Sequence, residues 1–345
     1  MENLSIFSHT EFNDHEQIVF ASDQDSGLKA IIAIHDTTLG PSLGGCRVWR
    51  YDNENEALQD VLRLSAGMSY KAAISNLALG GGKAVILADP VTEKTPAIMQ
   101  AFGRAIERLA GRYITAKDVG TSIADMDTIS TQTNHVVGLS TGEGDPSPYT
   151  GLGVFLAMQT AVKRRFETDL KDITVSVKGL GNVGYDLCRK LHDAGARLIV
   201  ADLNKNITKQ AEDQLNAKVV SQDSIMFEDA DVYAPCALGA DLSNDTIPRL
   251  KAKIICGGAN NQLATPSDDD LLVAHDITYC PDYLVNAGGL ISVSRIPLQM
   301  TEDEVLAKID DIPKTLEHVF AIARSEKKPT GYVANRMVKA MIGRV

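Results

Sequence analysis

Apolar residues follow two patterns along this chain: short β-branched runs, and longer stretches with apolar positions three or four residues apart. The first pattern predicts strands and the second predicts helices. Helices are expected after Asn53, where Glu56 completes a capping-box-like start, and after Thr95, which precedes Pro96 at the first helical position. Further helices are expected up to Val162, in the stretch after Gly184, and in the tail after about Glu302. Strands are predicted at 27–36, 83–90, 112–122, 172–178, 197–202, 231–235, 253–261 and 276–290.

This alternation of strands and helices predicts an α/β fold. A chain of 345 residues is longer than one hydrophobic core usually holds, so two domains are expected. The segment 142–153 is rich in Gly, Pro and Ser and is the best candidate for the linker between them.

Composition excludes several classes of function. The net charge of −11 disfavours nucleic acid as a partner, because phosphate binding needs clustered Lys and Arg. No apolar run is long enough to cross a bilayer, and the N-terminus lacks the pattern of a secretory signal. The five cysteines form no CxxC pair and no Cys/His cluster with zinc spacing, which predicts free thiols, a cytoplasmic location and no metal site.

The sequence 172–205 contains the pattern of a dinucleotide site. Gly179, Gly181 and Gly184 form GxGxxG directly after a predicted strand and at the start of a predicted helix, and Asp202 ends the next strand. Such glycines let a pyrophosphate approach the backbone at a helix N-terminus. An acid in the place of Asp202 binds ribose hydroxyls and repels a 2′-phosphate, so NAD is favoured over NADP. A merely structural Gly-rich turn is the alternative.

Two lysines lie in one of the least polar segments, "MSYKAAISNLALGGGKAVI". Lys71 is expected near the end of a helix, and Lys83 where a glycine loop enters a strand. Beside a nicotinamide, a buried lysine can pair with a substrate carboxylate or, with its pKa lowered from about 10.4 toward neutrality, act as a general base. Asp118, at the end of another predicted strand, is a candidate to assist proton transfer. The alternative is that both lysines lie on the surface beside a loop.

Eight segments resemble the amino acid dehydrogenases, in the branch that contains leucine, valine, phenylalanine and tryptophan dehydrogenases. They run in order through nearly the whole chain: "AIIAIHDTTLGPSLGG", "RLSAGMSYKAA", "LGGGKAVI", "RYITAKDVGTS", "VKGLGNVG", "APCALGA", "GGANNQL" and "CPDYLVNAGG". The resemblance implies NAD-dependent, reversible oxidative deamination of an L-amino acid to a 2-oxo acid and ammonia. It implies a substrate-binding, catalytic and oligomerisation domain at 1–147, on which a C-terminal helix at about 326–345 packs back, and a Rossmann NAD-binding domain at 148–325, with a cleft between them.

The resemblance also implies roles for individual residues. Lys71 binds the substrate α-carboxylate, Lys83 is the base that activates water, and Asp118 assists. The substrate set is Leu43, Gly44, Gly45, Met68, Lys71, Ala116, Asn260, Leu290 and Val293. The cofactor set is Thr150, Gly179, Gly181, Asn182, Val183, Gly184, Asp202, Cys236, Ala237, Asn260 and Asn286.

Apolar residues at the side-chain positions Leu43, Ala116, Leu290 and Val293 favour branched-chain substrates (leucine, valine, isoleucine) and disfavour glutamate, whose carboxylate would be buried without a partner. Phenylalanine or tryptophan is the alternative within the family. Two alternatives from other classes are a non-catalytic NAD-binding sensor and a 2-hydroxyacid dehydrogenase. The resemblance implies a homo-oligomer, a dimer or an octamer, although "SRIPLQMTEDE" and the short tail depart from the leucine-type pattern in regions that pack subunits.

Overall fold

The chain divides into two compact units. The computed structural model describes residues 6–142, 144–237 and 239–344. The first unit comprises residues 1–144, 293–299 and 338–345, and the second comprises residues 145–292 and 300–337. No helix in these described ranges is both long enough and apolar enough to span a membrane.

The first unit is built on a mixed five-stranded sheet in the order β1-β2-β4-β3-β5. The strands β1, β2 and β4 are antiparallel neighbours, whereas β4, β3 and β5 run parallel. Its elements in chain order are β1 (Gln17–Asp23), β2 (Leu28–Asp36), β3 (Ser42–Trp49), α1 (Glu54–Ile74), β4 (Gly80–Leu87), α2 (Pro96–Glu107), β5 (Tyr113–Lys117) and α3 (Ile123–Ser130).

Two helix starts in this unit follow from local chemistry. The Asn53 side chain accepts a hydrogen bond from the backbone N–H of Glu56 and caps α1, as predicted. The Thr95 side chain caps α2 in the same way, with Pro96 at the first helical position. Both helices bury apolar faces against the sheet: Leu58, Val61 and Leu62 of α1 on one side, and Met99, Phe102 and Ile106 of α2 on the other.

One sequence prediction about a glycine-rich segment in this unit was wrong. Gly80, Gly81 and Gly82 are not a loop before the strand but the first three residues of β4. Gly44 and Gly45 likewise lie within a strand, β3. Glycine usually weakens a strand and marks a close approach of another backbone, which is the situation at both places.

The second unit contains a parallel six-stranded sheet in the order β11-β10-β9-β6-β7-β8. The order reverses beside β6, so a crevice is expected at the carboxyl ends of β6 and β9. The elements are α4 (Ser147–Phe166), β6 (Thr174–Lys178), α5 (Asn182–Asp193), β7 (Arg197–Ala201), α6 (Lys205–Leu215), β8 (Lys218–Val219), β9 (Val232–Pro235), β10 (Ile254–Ile255), α7 (Asp268–Ala274), β11 (Thr278–Tyr279), α8 (Asp282–Val285), α9 (Gly288–Val293), α10 (Glu302–Glu326) and α11 (Thr330–Met341).

Two boundaries differ from the sequence prediction. The segment 142–153 was predicted as a linker, but α4 begins at Ser147 and carries Gly151 and Gly153 within it. A Cβ at Gly153 would lie 2.9 Å from Ile312 of α10. The glycine therefore permits close packing of α4 against α10. The segment 276–290 was predicted as one strand, but only Thr278–Tyr279 is extended, and α8 and α9 follow.

The C-terminal segment is held in the first unit by Arg344. Its guanidinium donates to the backbone oxygens of Asn13, Asp14 and His35, donates at 2.8 Å to Nε2 of His35, and forms an ion pair with Asp36 at 3.0 Å. An arginine can only donate, so Nε2 of His35 is the acceptor, and Nδ1–H donates to Ser69 Oγ at 2.7 Å. His35 is therefore held neutral.

His15 packs edge-on against His35 with ring centroids 4.9 Å apart and is also neutral. Its Nδ1 accepts from the backbone N–H of Asn13, which leaves Nε2–H to donate to Leu62 O and Ser65 Oγ. Burial lowers the pKa of His15 to about 4. Burial, followed by the charge of Arg344, lowers the pKa of His35 to about 3.

Both histidines should make the protein less stable in mild acid. Each pKa is lower in the folded chain than in the unfolded chain, so the unfolded state binds more protons below pH ~6.5. The stabilisation is complete above that pH and is lost as the pH falls toward the folded values. We expect a slope of about 1.4 kcal/mol per pH unit for each histidine between pH ~6.5 and ~4.

Urea unfolding at several pH values would measure this slope in the wild type and in the His15→Gln/His35→Gln double variant. The double variant should have a flatter dependence. The control is His192→Gln, which replaces a partly exposed histidine and should leave the slope unchanged. Parallel curves for the wild type and the double variant would contradict the assignment to His15 and His35.

Candidate active site

Lys83 and Asp118 form a largely buried ion pair in the first unit. Lys83 Nζ lies 2.9 Å from Asp118 Oδ2, and the exposed fractions of the two side chains are 8% and 21%. Lys83 lies within β4, and Asp118 directly follows β5. The strand β3 lies between β4 and β5, so the two side chains reach each other across it.

Glycines in β3 make that approach possible. A Cβ on Gly45 would lie 2.8 Å from the Cβ of Asp118, and a Cβ on Gly44 would lie 1.6 Å from the carbonyl oxygen of Gly82. The hydroxyl of the buried Tyr113 donates to Gly44 O at 2.7 Å and so helps to hold β3 in place. Side chains at either glycine would displace β4 or the Asp118 loop.

The Asp118 carboxyl is ionised despite its surroundings. Burial alone would raise its pKa, but the charges of Lys83 and Arg47 outweigh burial and hold the pKa below its ordinary value. Arg47 Nε donates to the same Oδ2 oxygen at 3.1 Å. The backbone N–H of Asp118 donates to Thr121 Oγ1 at 2.8 Å, which fixes the turn after β5.

The helix α1 carries the other predicted residues of this unit. Lys71 lies half-buried in its last turn, and Met68 is half-buried one turn earlier. The helix packs on β4 at Gly81, where a Cβ would lie 2.0 Å from the backbone nitrogen of Ser69. Ser69 and Gly81 are thus in contact, two residues from Lys71 and Lys83 respectively. Of the predicted side-chain pocket, Leu43 is buried and Ala116 is half-buried on neighbouring strands.

In the second unit, the GxGxxG residues form a tight turn between β6 and α5. Gly179 has φ +96°, and a Cβ there would collide with Ala237. A Cβ on Gly184 would lie 2.0 Å from Gly179 O and 3.2 Å from the Cβ of Cys236. No atom of the described residues lies within 4 Å of the Cβ position of Gly181, so this face of the turn is open. Gly181 caps α5, whose first two residues are the predicted Asn182 and Val183.

Asp202 holds this turn from β7. Its Oδ2 accepts from the backbone N–H of Leu180 at 2.6 Å, and its Oδ1 accepts from that of Asn204 at 2.8 Å. The carboxylate therefore lies at the glycine turn, where an acid that binds ribose hydroxyls is expected.

The remaining predicted cofactor residues surround the carboxyl edge of the same sheet. Asn286 Nδ2 donates to Asn260 Oδ1 at 2.9 Å and to the carbonyls of Gly258 and Ala259, while its buried Oδ1 accepts no hydrogen bond within the described residues. A Cβ at Gly258 would lie 2.8 Å from Val183 and 3.7 Å from Cys236 Sγ. Thr150 Oγ1 lies 2.5 Å from the Cβ position of Gly289.

These observations fit a dinucleotide. The open face of Gly181 at the start of α5 suits a pyrophosphate, and the orphaned oxygen of Asn286 suits the amide N–H of a nicotinamide carboxamide.

Asn260 and Leu290, assigned to the substrate from the sequence, belong to this second unit, whereas Val293 belongs to the first. Leu290 is buried and Val293 is half-buried.

Sequence reasoning missed two residues next to the ion pair. Asp60 and Tyr51 join it through Arg47. Arg47 Nη1 donates to Asp60 Oδ2 at 2.7 Å, and Tyr51 donates to the same oxygen at 2.7 Å. Asp60 lies on α1 among other charged residues, so nothing in its sequence context separates it from a solvated helix face.

A parallel sheet with a glycine turn for a dinucleotide, together with a buried lysine–aspartate pair, defines an α/β dehydrogenase. Two family profiles match the chain: the dimerisation domain of Glu/Leu/Phe/Val dehydrogenases over residues 15–135, and the Glutamate/Leucine/Phenylalanine/Valine dehydrogenase profile over residues 142–204 and 200–342. The chain belongs to this family of amino acid dehydrogenases.

Individual relatives agree with the family. The chain is 48% identical to a leucine dehydrogenase of Geobacillus stearothermophilus, over 98% of this chain and 94% of the relative. It is 41% identical to a phenylalanine dehydrogenase of Bacillus thermotolerans, over 99% of this chain and 91% of the relative. The crystal structure of L-tryptophan dehydrogenase from Nostoc punctiforme superposes with a TM-score of 0.84 at 42% identity, over 96% of both chains.

Proposed function

We propose that this enzyme catalyses the reversible, NAD-dependent oxidative deamination of an apolar L-amino acid, with leucine, valine and isoleucine as preferred substrates. The observation that carries the proposal is the Lys83–Asp118 pair at 2.9 Å, which glycines in β3 allow to form across that strand. The 48% identity to a leucine dehydrogenase supports the branched-chain preference.

In this proposal, each residue has a distinct task. Lys71 pairs with the substrate α-carboxylate. Lys83, in its neutral form, takes the proton from the water that attacks the α-carbon, and Asp118 assists that transfer. The chemistry supplied by a bound nicotinamide is acceptance of the hydride from the α-carbon. Asn286 and Asn260 orient the carboxamide, and Thr150 lies near it.

The preference for NAD over NADP rests on Asp202. Its carboxylate already accepts hydrogen bonds from two backbone N–H groups beside the glycine turn, so the negatively charged side chain is held in a fixed position. A 2′-phosphate at this position would meet a fixed negative charge. Ribose hydroxyls can donate to the same oxygens.

The side-chain pocket sets the substrate class. Leu43 is buried with 1% of its surface exposed, and no cation is present at that position to pair with a side-chain carboxylate. Burying an unpaired carboxylate costs several kcal/mol, so glutamate should be used about 1,000-fold less well than leucine. Phenylalanine or tryptophan remains the second candidate, which the similarity to the tryptophan dehydrogenase structure favours. A homo-oligomer, a dimer or an octamer, and a cytoplasmic location complete the proposal.

Initial rates with purified enzyme test the proposal. Leucine, valine, isoleucine, phenylalanine, tryptophan and glutamate would each be offered with NAD, and the best substrate also with NADP, at alkaline pH, which favours an unprotonated base and the release of ammonia. We expect kcat/KM highest for the branched-chain substrates and higher with NAD than with NADP. A higher value for an aromatic substrate would assign the pocket to the second candidate. No turnover of any substrate, with NAD still bound, would favour a cofactor-binding sensor.

A further inference from the structure

One oxygen of Asp118 serves two cations. Its Oδ2 accepts from Lys83 Nζ at 2.9 Å and from Arg47 Nε at 3.1 Å. The Arg47 side chain is 22% exposed, so its charge is only partly screened by water. The lysine and the arginine thus share one oxygen of Asp118 as their hydrogen-bond acceptor.

Arg47 is itself held from the other side. Its Nη1 donates at 2.7 Å to Asp60, which also accepts from Tyr51, while Arg63 approaches the second oxygen of Asp60 at 3.4 Å. The result is an alternating row of charges, Lys83, Asp118, Arg47, Asp60 and Arg63. The side chain of Asp60 is 13% exposed and anchors Arg47 from α1.

We propose that Arg47 is a positioning residue whose fixed charge keeps Asp118 paired when Lys83 gives up its proton, and so allows Lys83 to act as a base at moderate pH. The inference rests on the proposed function, in which Lys83 is that base. It extends the catalytic pair to a triad of Lys83, Asp118 and Arg47, with Asp60 as the anchor.

The physical reason is the cost of a buried charge without a partner. If Asp118 faced only Lys83, loss of the lysine proton would leave a nearly buried carboxylate with no counter-charge, and the pair would hold its proton more tightly. Arg47 stays protonated across the accessible pH range, because the charges of Asp118 and Asp60 outweigh burial and raise its pKa further. Asp118 therefore keeps a cationic partner in both protonation states of Lys83.

Several other titratable groups lie on or near the elements that pack against β4. Burial raises the pKa of Cys46 and of Tyr113, so both stay neutral. His35 stays neutral because its pKa is lowered, and Asp36 is paired with Arg344. The other charged or titratable groups on the neighbouring elements are Tyr70 and Lys71 on α1, Lys117 on β5, and the Lys94–Asp125 pair at 2.6 Å.

The pH profile of kcat tests the proposal in four enzymes. In Arg47→Met the acidic limb should move to higher pH by about one unit or more, so that kcat near pH ~8 falls about tenfold while the alkaline plateau is kept within about threefold. In Arg47→Lys the charge is retained, and the limb should lie between those of the wild type and Arg47→Met. The control is Lys117→Met, which removes an exposed cation that forms no ion pair with Asp118 among the described residues, and whose limb should match the wild type.

The outcomes separate this inference from the proposed function. A uniform fall of kcat in Arg47→Met with an unmoved limb, or an effect on KM alone, would overturn the positioning role. If Arg47→Met does not fold, the neutral but polar Arg47→Gln takes its place, and a limb in that variant that matches the wild type would overturn the role equally. A Lys83→Ala enzyme that keeps both activity and the wild-type limb would instead overturn the assignment of the base, whatever Arg47 does.

Discussion

Replacement of Lys83 by alanine is expected to lower kcat by about 10²- to 10⁴-fold, the usual contribution of a general base. NAD affinity should be unchanged, because the cofactor set lies in the second unit. Lys83→Arg should be as inactive as Lys83→Ala, since an arginine keeps the charge beside Asp118 but cannot give up its proton. Steady-state rates with the best substrate, together with NAD titration, would measure both quantities.

The matched control is Lys190→Ala. Lys190 forms an ion pair with Asp186 at 2.7 Å on α5, with a side chain 28% exposed, and it has no assigned role in the chemistry. This variant loses a lysine–aspartate pair of similar length and should keep kcat. An Lys83→Arg enzyme with near wild-type kcat would show that Lys83 acts only through its charge and would contradict the base.

Replacement of Gly81 by alanine is expected to destabilise the protein by about 2 kcal/mol or more and to reduce activity with it. The added Cβ would lie 2.0 Å from the backbone nitrogen of Ser69, so α1 and β4 must separate. Lys83 lies two residues farther along β4 and would be displaced from Asp118. Urea unfolding and kcat of the same preparation measure the two effects.

Gly67→Ala provides the contrast on α1. Gly67 is exposed within the helix, and its Cβ position has no atom within 4 Å in the part of the chain that the structure describes. Alanine there should stabilise the protein by about 0.5–1 kcal/mol, because it restricts the unfolded chain and favours the helix. Equal unfolding free energies for Gly81→Ala and Gly67→Ala would contradict the close approach of α1 to β4.

The sequence predicted correctly those elements that depend on interactions between nearby residues. The caps at Asn53 and Thr95, the apolar run of β2 and the strand–GxGxxG–helix unit with Asp202 are confirmed at those positions. Each cap joins a side chain to an N–H three residues later, and Asp202 reaches Leu180 within one strand–helix–strand unit. These interactions involve only neighbouring elements, so the local pattern was sufficient to predict them.

The errors concern residues whose conformation depends on distant neighbours. Gly80–Gly82 have the composition of a loop, yet they form strand because β2 and β3 pair on both sides of them and α1 lies on Gly81. The segment "VNAGGL" ends a predicted strand, yet it is helical where Gly288 and Gly289 contact Tyr149 and Thr150 of α4. Glycine has no local preference strong enough to decide between these states.

Local sequence patterns were enough to predict an α/β protein with a dinucleotide turn and two unusual lysines, because periodicity, caps and glycine spacing involve residues near one another in the chain. Which charges meet follows only from the tertiary fold. Lys83, Asp118, Arg47 and Asp60 come from β4, the end of β5, β3 and α1, and they share oxygens only because the parallel strands bring these elements side by side. Coulomb interactions depend on distance in space and not on separation along the chain. The row of charges around Asp118 therefore cannot be predicted before the positions of the strands are known.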